Sequence, residues 1–280
     1  MSSITSQPTT SSVELKSLNP TTERFNFRDI PYLEHIPTDV LGEIVEFSSN
    51  LKLLSAFMFT AGDNSQLAQN ITNIAINTLV SSHKEFKKTS SWTSACTNLQ
   101  KKLLPYINFA LDHAPVNLNE ASRLLEKIEM IIYEDFTDEC NESKSFKSLN
   151  LKVLTEAYIK IGNLRRAEIA ACSISNWQLL SELLAKIAKQ HAKLGNFEEA
   201  LRILPNAELA ITSMVKQGFF QAKVLIEIVD IYIQLRKPKE ATKALVTAEK
   251  AIYLIFNERP KSELLTKINE AQAKIHSLKE

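Results

Sequence analysis

The sequence predicts an all-α fold: antiparallel helix-hairpin repeats stacked as a short solenoid, behind a disordered N-terminal tail. Three observations predict it. Glycine and proline are scarce, 5 and 9 among 280 residues, too few for the many tight turns of an all-β fold or for glycine-rich phosphate loops. Hydrophobic residues make up 44% of the chain, enough for a sizeable core, and from about Thr38 onward they recur at helical spacing. In the C-terminal half a helix, a tight turn and a second helix carrying an alanine recur three times.

The elements follow in order. Residues 1–30 are rich in Ser and Thr and poor in apolar groups, so burial cannot offset the entropy of ordering them, and they are expected to be a disordered tail. Residues 31–64 form the next unit. Pro37-Thr38-Asp39 is a good helix start, and Val40, Leu41, Ile44, Val45 and Phe47 follow at near-helical spacing. A second helix is expected from Leu51 to about Ala61, stopped by Gly62-Asp63-Asn64, so that the two form a small hairpin.

Residues 65–145 read as a helical linker bundle. Leu67, Ile71, Ile74 and Leu79 fall along one stripe. In the next helix Pro105 is expected to kink or break the pattern. A third amphipathic helix, near 118–133, gives way to a polar, aperiodic stretch at about 134–145 that marks the best internal boundary.

Residues 146–280 contain the repeats. The segments at 157–170, 190–203 and 230–244, the last one residue longer at its start, align without internal gaps, with Ala167, Ala200 and Ala241 as equivalent small residues 33 and 41 positions apart. Alanine leaves room for a close neighbouring helix, and Gly162 and Gly195 accept the left-handed turn without steric penalty. After Asn257-Glu258-Arg259-Pro260, the polar segment from Ser262 to the end reads as the capping helix such a stack needs.

On these residues the C-terminal half, about 148–280, resembles the tetratricopeptide repeat family. The matches are Tyr158 and Tyr232 in first helices, Gly162 and Gly195 at turns, then Ala167, Ala200, Ala241, Ala207 and Ala248 in second helices. The pattern departs at Ile174, where a second alanine is expected, at Arg236-Lys237-Pro238, which replaces the glycine turn, and at Pro205, expected to interrupt the second helix of the middle repeat. The resemblance implies a concave groove lined by first helices. On that register it exposes Lys152, Glu156, Glu182, Lys186, Lys189, Lys193, Glu227 and Asp230 as the surface for a client protein. Glu156, Lys189 and Asp230 stand where the family's clamp for chaperone tails carries asparagine, which argues against a cochaperone of that kind.

The stretch from Tyr32 to Gly62 resembles an F-box, the helical module that docks on the adaptor subunit of cullin-RING ubiquitin ligases. Ile36, Pro37, Val40, Leu41, Ile44, Leu53 and Leu54 fall where that family has its adaptor-facing or module-core apolar contacts. Ser48, Lys52 and Gly42 depart from its pattern. The same apolar spacing also fits a first hairpin that covers the open end of the stack.

Several chemistries find no support. Lys plus Arg number 33 against 32 for Asp plus Glu, a net charge of +1, so no summed field draws the chain to nucleic acid or anionic lipid. The basic cluster Lys84, Lys87, Lys88, Lys101 and Lys102 reads as a solvated helix face. His35, His83, His113, His191 and His276 lack the spacing that puts two metal ligands on one helix face, so no metal and no cofactor is expected. No nucleophile elbow, phosphate loop or dinucleotide fingerprint occurs, and no enzymatic role is expected. Glu198-Glu199 and Glu134-Asp135 read as first-turn or loop carboxylates, and Cys172 as a small packing residue.

Cys96, Cys140 and Cys172 are odd in number and widely spaced, which fits a reducing cytoplasm. No apolar run approaches the ~20 residues of a membrane helix. The Ser/Thr-rich start also has the flavour of bacterial effectors exported without a cleaved signal. The expected function is a protein-protein interaction adaptor whose groove holds a client, coupled through the F-box-like segment to a ubiquitin ligase. The alternative is a plain helical-repeat scaffold.

Overall fold

A computed structural model describes residues 65–89, 92–136, 141–214 and 217–278, together with Leu51, Leu54, Ser55 and Met58. Among the described residues every regular element is a helix: α1 (Ser65–Thr89), α2 (Trp92–His113), α3 (Leu118–Asp135), α4 (Asn141–Lys160), α5 (Leu164–Cys172), α6 (Trp177–Lys193), α7 (Phe197–Thr212), α8 (Gly218–Gln234), α9 (Pro238–Ile252) and α10 (Glu258–Ser277).

Short connections make neighbours antiparallel, and the packing pairs α2 with α3, α4 with α5, α6 with α7 and α8 with α9. The first helices of successive pairs also pack on one another, α2 on α4, α4 on α6, α6 on α8, and α8 on α10, so they form one wall of the molecule. Each second helix meets the first helix of the next pair, and α10 closes the series against α8 and α9. A single apolar core runs through the described helices, and Leu54 and Met58, both helical, are buried in it.

The alanines set the spacing of this stack. Ala167, Ala200 and Ala241 are fully buried, as are Ala207 and Ala248, so the helices of each pair approach at backbone distance. Three turns share one geometry. Gly162, Gly195 and Arg236 adopt positive φ of 80°, 79° and 53°. The N–H of the following residue, Asn163, Asn196 or Lys237, donates to the carbonyl five residues back, that of Tyr158, His191 or Tyr232, at 2.9 Å in each case. This bond satisfies a carbonyl that the helix end leaves open. Asn117, Asn163, Asn176 and Asn257 cap the starts of α3, α5, α6 and α10 by accepting from backbone N–H groups.

Several sequence expectations are corrected. Neither proline breaks its helix: Pro105 lies inside α2 and Pro205 inside α7. Both side chains are exposed, on the face where water can take the carbonyl that proline leaves unpaired. Both ends of the polar stretch at 134–145 are helical, since α3 extends through Glu134 and Asp135 and α4 begins at Asn141, while residues 137–140 lie outside the described residues. Glu134-Asp135 is therefore the end of a helix, and Asp135 lies 3.2 Å from His83 of α1. The terminal helix starts at Glu258, with Pro260 tolerated in its first turn, where a backbone N–H is not needed. Cys172 is exposed at the end of α5, since Ala170 and Ala171 take the core-facing positions.

The pattern also reaches further than the three segments aligned in the sequence. In α2 and α3, Asn117 and buried Ala121 stand at the spacing of Asn163 and Ala167, so this pair continues the same register 46 residues upstream.

Candidate protein-binding groove

The wall of first helices presents its outer side to solvent, and α4, α6, α8 and α10 each contribute charged side chains there. The eight residues expected to line a groove are all accessible. Lys186, Lys189, Lys193 and Glu227 are exposed, while Lys152, Glu156, Glu182 and Asp230 are partly buried. Their helical spacing explains this: 186, 189 and 193 repeat at three and four residues, on the face of α6 opposite buried Leu184, Ile187 and Ala188.

Two ion pairs cross between neighbouring first helices. Lys186 Nζ lies 2.6 Å from Glu156 Oε1, tying α6 to α4, and Lys274 Nζ lies 3.4 Å from Asp230 Oδ1, tying α10 to α8. Glu182 accepts from Gln178 one turn earlier, at 3.1 Å. Such exposed contacts contribute roughly 0–1 kcal/mol each, so the groove charges are dispensable for folding. Among the described residues Lys189 and Lys193 make no ion pair, and none joins α6 to α8.

Clefts open between successive first helices. One of about 560 Å³ lies where Asn108, Leu111 and Asp112 of α2 face Lys160 and Ile161 at the end of α4. Another, about 490 Å³, lies between α4 and α6 and has Ser145, Ser148, Leu149, Ser175 and Leu179 in its walls. A third, about 150 Å³, separates α8 from α10 and joins the expected Glu227 and Asp230 to Lys223, Lys267, Glu270 and Lys274. The α10 side chains were missed because a capping helix was read only for its polar outer face. The three- and four-residue spacing of Lys267, Glu270 and Lys274 was the signal available in the sequence.

Junctions between pairs are marked by a recurrent polar contact. Eight residues after Ala121, Ala200 and Ala241 stand Glu129, Glu208 and Glu249. Each accepts a hydrogen bond from the next first helix: Tyr158 donates to Glu129 at 3.0 Å, Tyr232 to Glu208 at 2.7 Å, and Gln272 to Glu249 at 2.7 Å. Burial first, then the neighbouring carboxylate, drives the pKa of both tyrosines upward, so each phenol stays a donor. At the remaining junction Ser175 occupies the glutamate position and His191 the tyrosine position, and this contact is absent.

Ile36, Pro37, Val40, Leu41, Ile44 and Leu53 lie outside the described residues. Leu54 is 3% exposed and packs in the core. Among the described residues no cluster of His, Cys, Asp and Glu is arranged to hold a metal ion, and no helix is long and apolar enough to cross a membrane. Compared with known proteins, the chain matches no protein-family model and no curated protein.

Proposed function

We propose that this chain is a protein-binding adaptor of tetratricopeptide-like architecture, which holds a segment of a client protein along the face of its first helices and carries out no chemistry of its own. The observation that carries this reading is the accessible wall of α4, α6, α8 and α10. Its charged side chains are spared from folding, Lys189 and Lys193 make no ion pair among the described residues, and clefts open on the same wall between the starts of α4 and α6 and between α8 and α10. Groove charges that add little to stability are available for recognition and on-rate. The cytoplasm is the proposed compartment, that of a host cell if the protein is an effector.

The F-box-like segment extends the proposal: it brings a client to a cullin-RING ligase by docking Ile36, Pro37, Leu41 and Ile44 on the adaptor subunit. The burial of Leu54 and Met58 favours a second reading, a scaffold without ligase coupling whose residues 36–62 supply the first hairpin of the stack. One experiment separates them. Affinity purification from eukaryotic lysate recovers the ligase adaptor with the parent chain, and the change Leu41→Ala with Ile44→Ala removes it, weakening binding by on the order of a hundredfold. No adaptor with the parent overturns the ligase reading, and global unfolding of the double variant favours the capping hairpin.

A further inference from the structure

Exposed aromatic side chains gather where the start of α8 meets the connection from α9 to α10. Phe256 is 99% exposed and Tyr253 83%, both in the connection from α9 to α10, and Leu254 beside them is half exposed. Phe219 and Phe220, in the first turn of α8, are also exposed, with their rings in an edge-to-face contact at 5.4 Å. The two segments touch. A Cβ on Gly218 would fall 2.4 Å from the Ala251 carbonyl oxygen and 2.7 Å from the Leu254 Cβ, so only glycine lets the start of α8 seat against the end of α9. The seat makes the patch rigid, which lowers the entropy cost of binding through it.

We infer that this edge is the contact between two copies of the chain. Two observations select that occupant. An aromatic side chain offers about 150–250 Å² when fully exposed, so these five residues present roughly 600 Å², close to the ~800 Å² per partner of a standard interface before any rim is added. The rim carries both signs: Lys223, Lys250, Arg259 and Lys261 stand beside Glu249, Glu258 and Glu263. Glu258 lies 3.4 Å from Lys261 and Arg259 lies 3.8 Å from Glu263. A two-fold arrangement that sets this patch on itself can place basic against acidic groups.

Sedimentation equilibrium of the full chain, from about 1 to 100 µM, tests this. A reversible dimer is expected, and Tyr253→Ser with Phe256→Ser, at positions that contribute little to the fold, raises its dissociation constant by on the order of a hundredfold with an unchanged melting temperature. Phe256→Ser alone serves as a milder variant, with an expected rise of about tenfold. A monomer at the highest concentration overturns the inference, as does a dimer that both variants leave intact. Binding of the monomer to phosphatidylcholine–phosphatidylserine vesicles, lost in the double variant, assigns the edge to lipid and overturns it equally.

Discussion

At the left-handed turns, three positions share one backbone geometry but not one residue. Gly162 and Gly195 hold positive φ freely, and a Cβ there meets nothing within 4 Å, so the cost of substitution is conformational alone. Gly195→Ala is expected to lose about 1 kcal/mol. Arg236 already bears that strain at φ 53°, so Arg236→Gly is expected to raise stability by about 0.5–1 kcal/mol in urea denaturation. An unchanged or lowered stability would show that the Arg236 turn carries no strain.

Ala200 poses the opposite test: it is fully buried, and Ala200→Arg should cost at least ~1–3 kcal/mol from overpacking alone. His113 adds a pH dependence. Burial holds its imidazole pKa down at about 4, with the Asp112 charge opposing. The unfolded chain takes up that proton near pH 6.5, so the folded state is penalised as pH falls from 6.5 toward 4. About 2–3 kcal/mol should be lost over that window. Replacing His113 with Leu should flatten the corresponding part of the profile, and an identical slope in the variant would contradict the assignment.

On the scale of helices, the sequence disclosed their existence, their apolar faces and three of the four pairs. Periodicity and the Gly–x₄–Ala spacing are local signals, and local signals survive in one dimension. The pair α2/α3 was harder to see because its turn is built from Ala114, Pro115 and Val116, with no glycine, leaving only Asn117 and Ala121 in register. The prolines misled for a related reason. Their effect depends on whether the freed carbonyl faces water, which a sequence does not specify. The junction contacts were invisible altogether, since Tyr158 and Glu129 are 29 residues apart and Tyr232 and Glu208 are 24 apart.

These junctions differ in depth, and the difference is measurable. Glu129 is buried, with Arg166 no nearer than 4.0 Å, so Tyr158→Phe removes a donor from a carboxylate largely out of water. That should cost about 1–3 kcal/mol. Glu208 is only partly buried, and Tyr232→Phe should cost about 1 kcal/mol or less. Equal losses in the two variants would show that the contact depends on burial less than its geometry implies.

Over the whole molecule, the division of labour is between a core that holds the helices and a face that the core does not need. The accessibility of the proposed groove residues was legible, because charges at three- and four-residue spacing mark a solvated face. Their mutual arrangement was not, since the pairing of Lys186 with Glu156 spans 30 positions and that of Lys274 with Asp230 spans 44. Reversing charge at Lys186, Lys189 and Lys193 to Glu should therefore abolish client capture and leave the helical circular dichroism signal unchanged.

Lysine footprinting of the chain with a captured client, by acetylation read out by mass spectrometry, tests the groove most directly. Lys152, Lys189, Lys193 and Lys223 on the first helices should lose reactivity when the client binds. Lys239 and Lys243, exposed on α9, should stay reactive. Protection of Lys239 and Lys243 with Lys189 and Lys193 still fully reactive would contradict the groove.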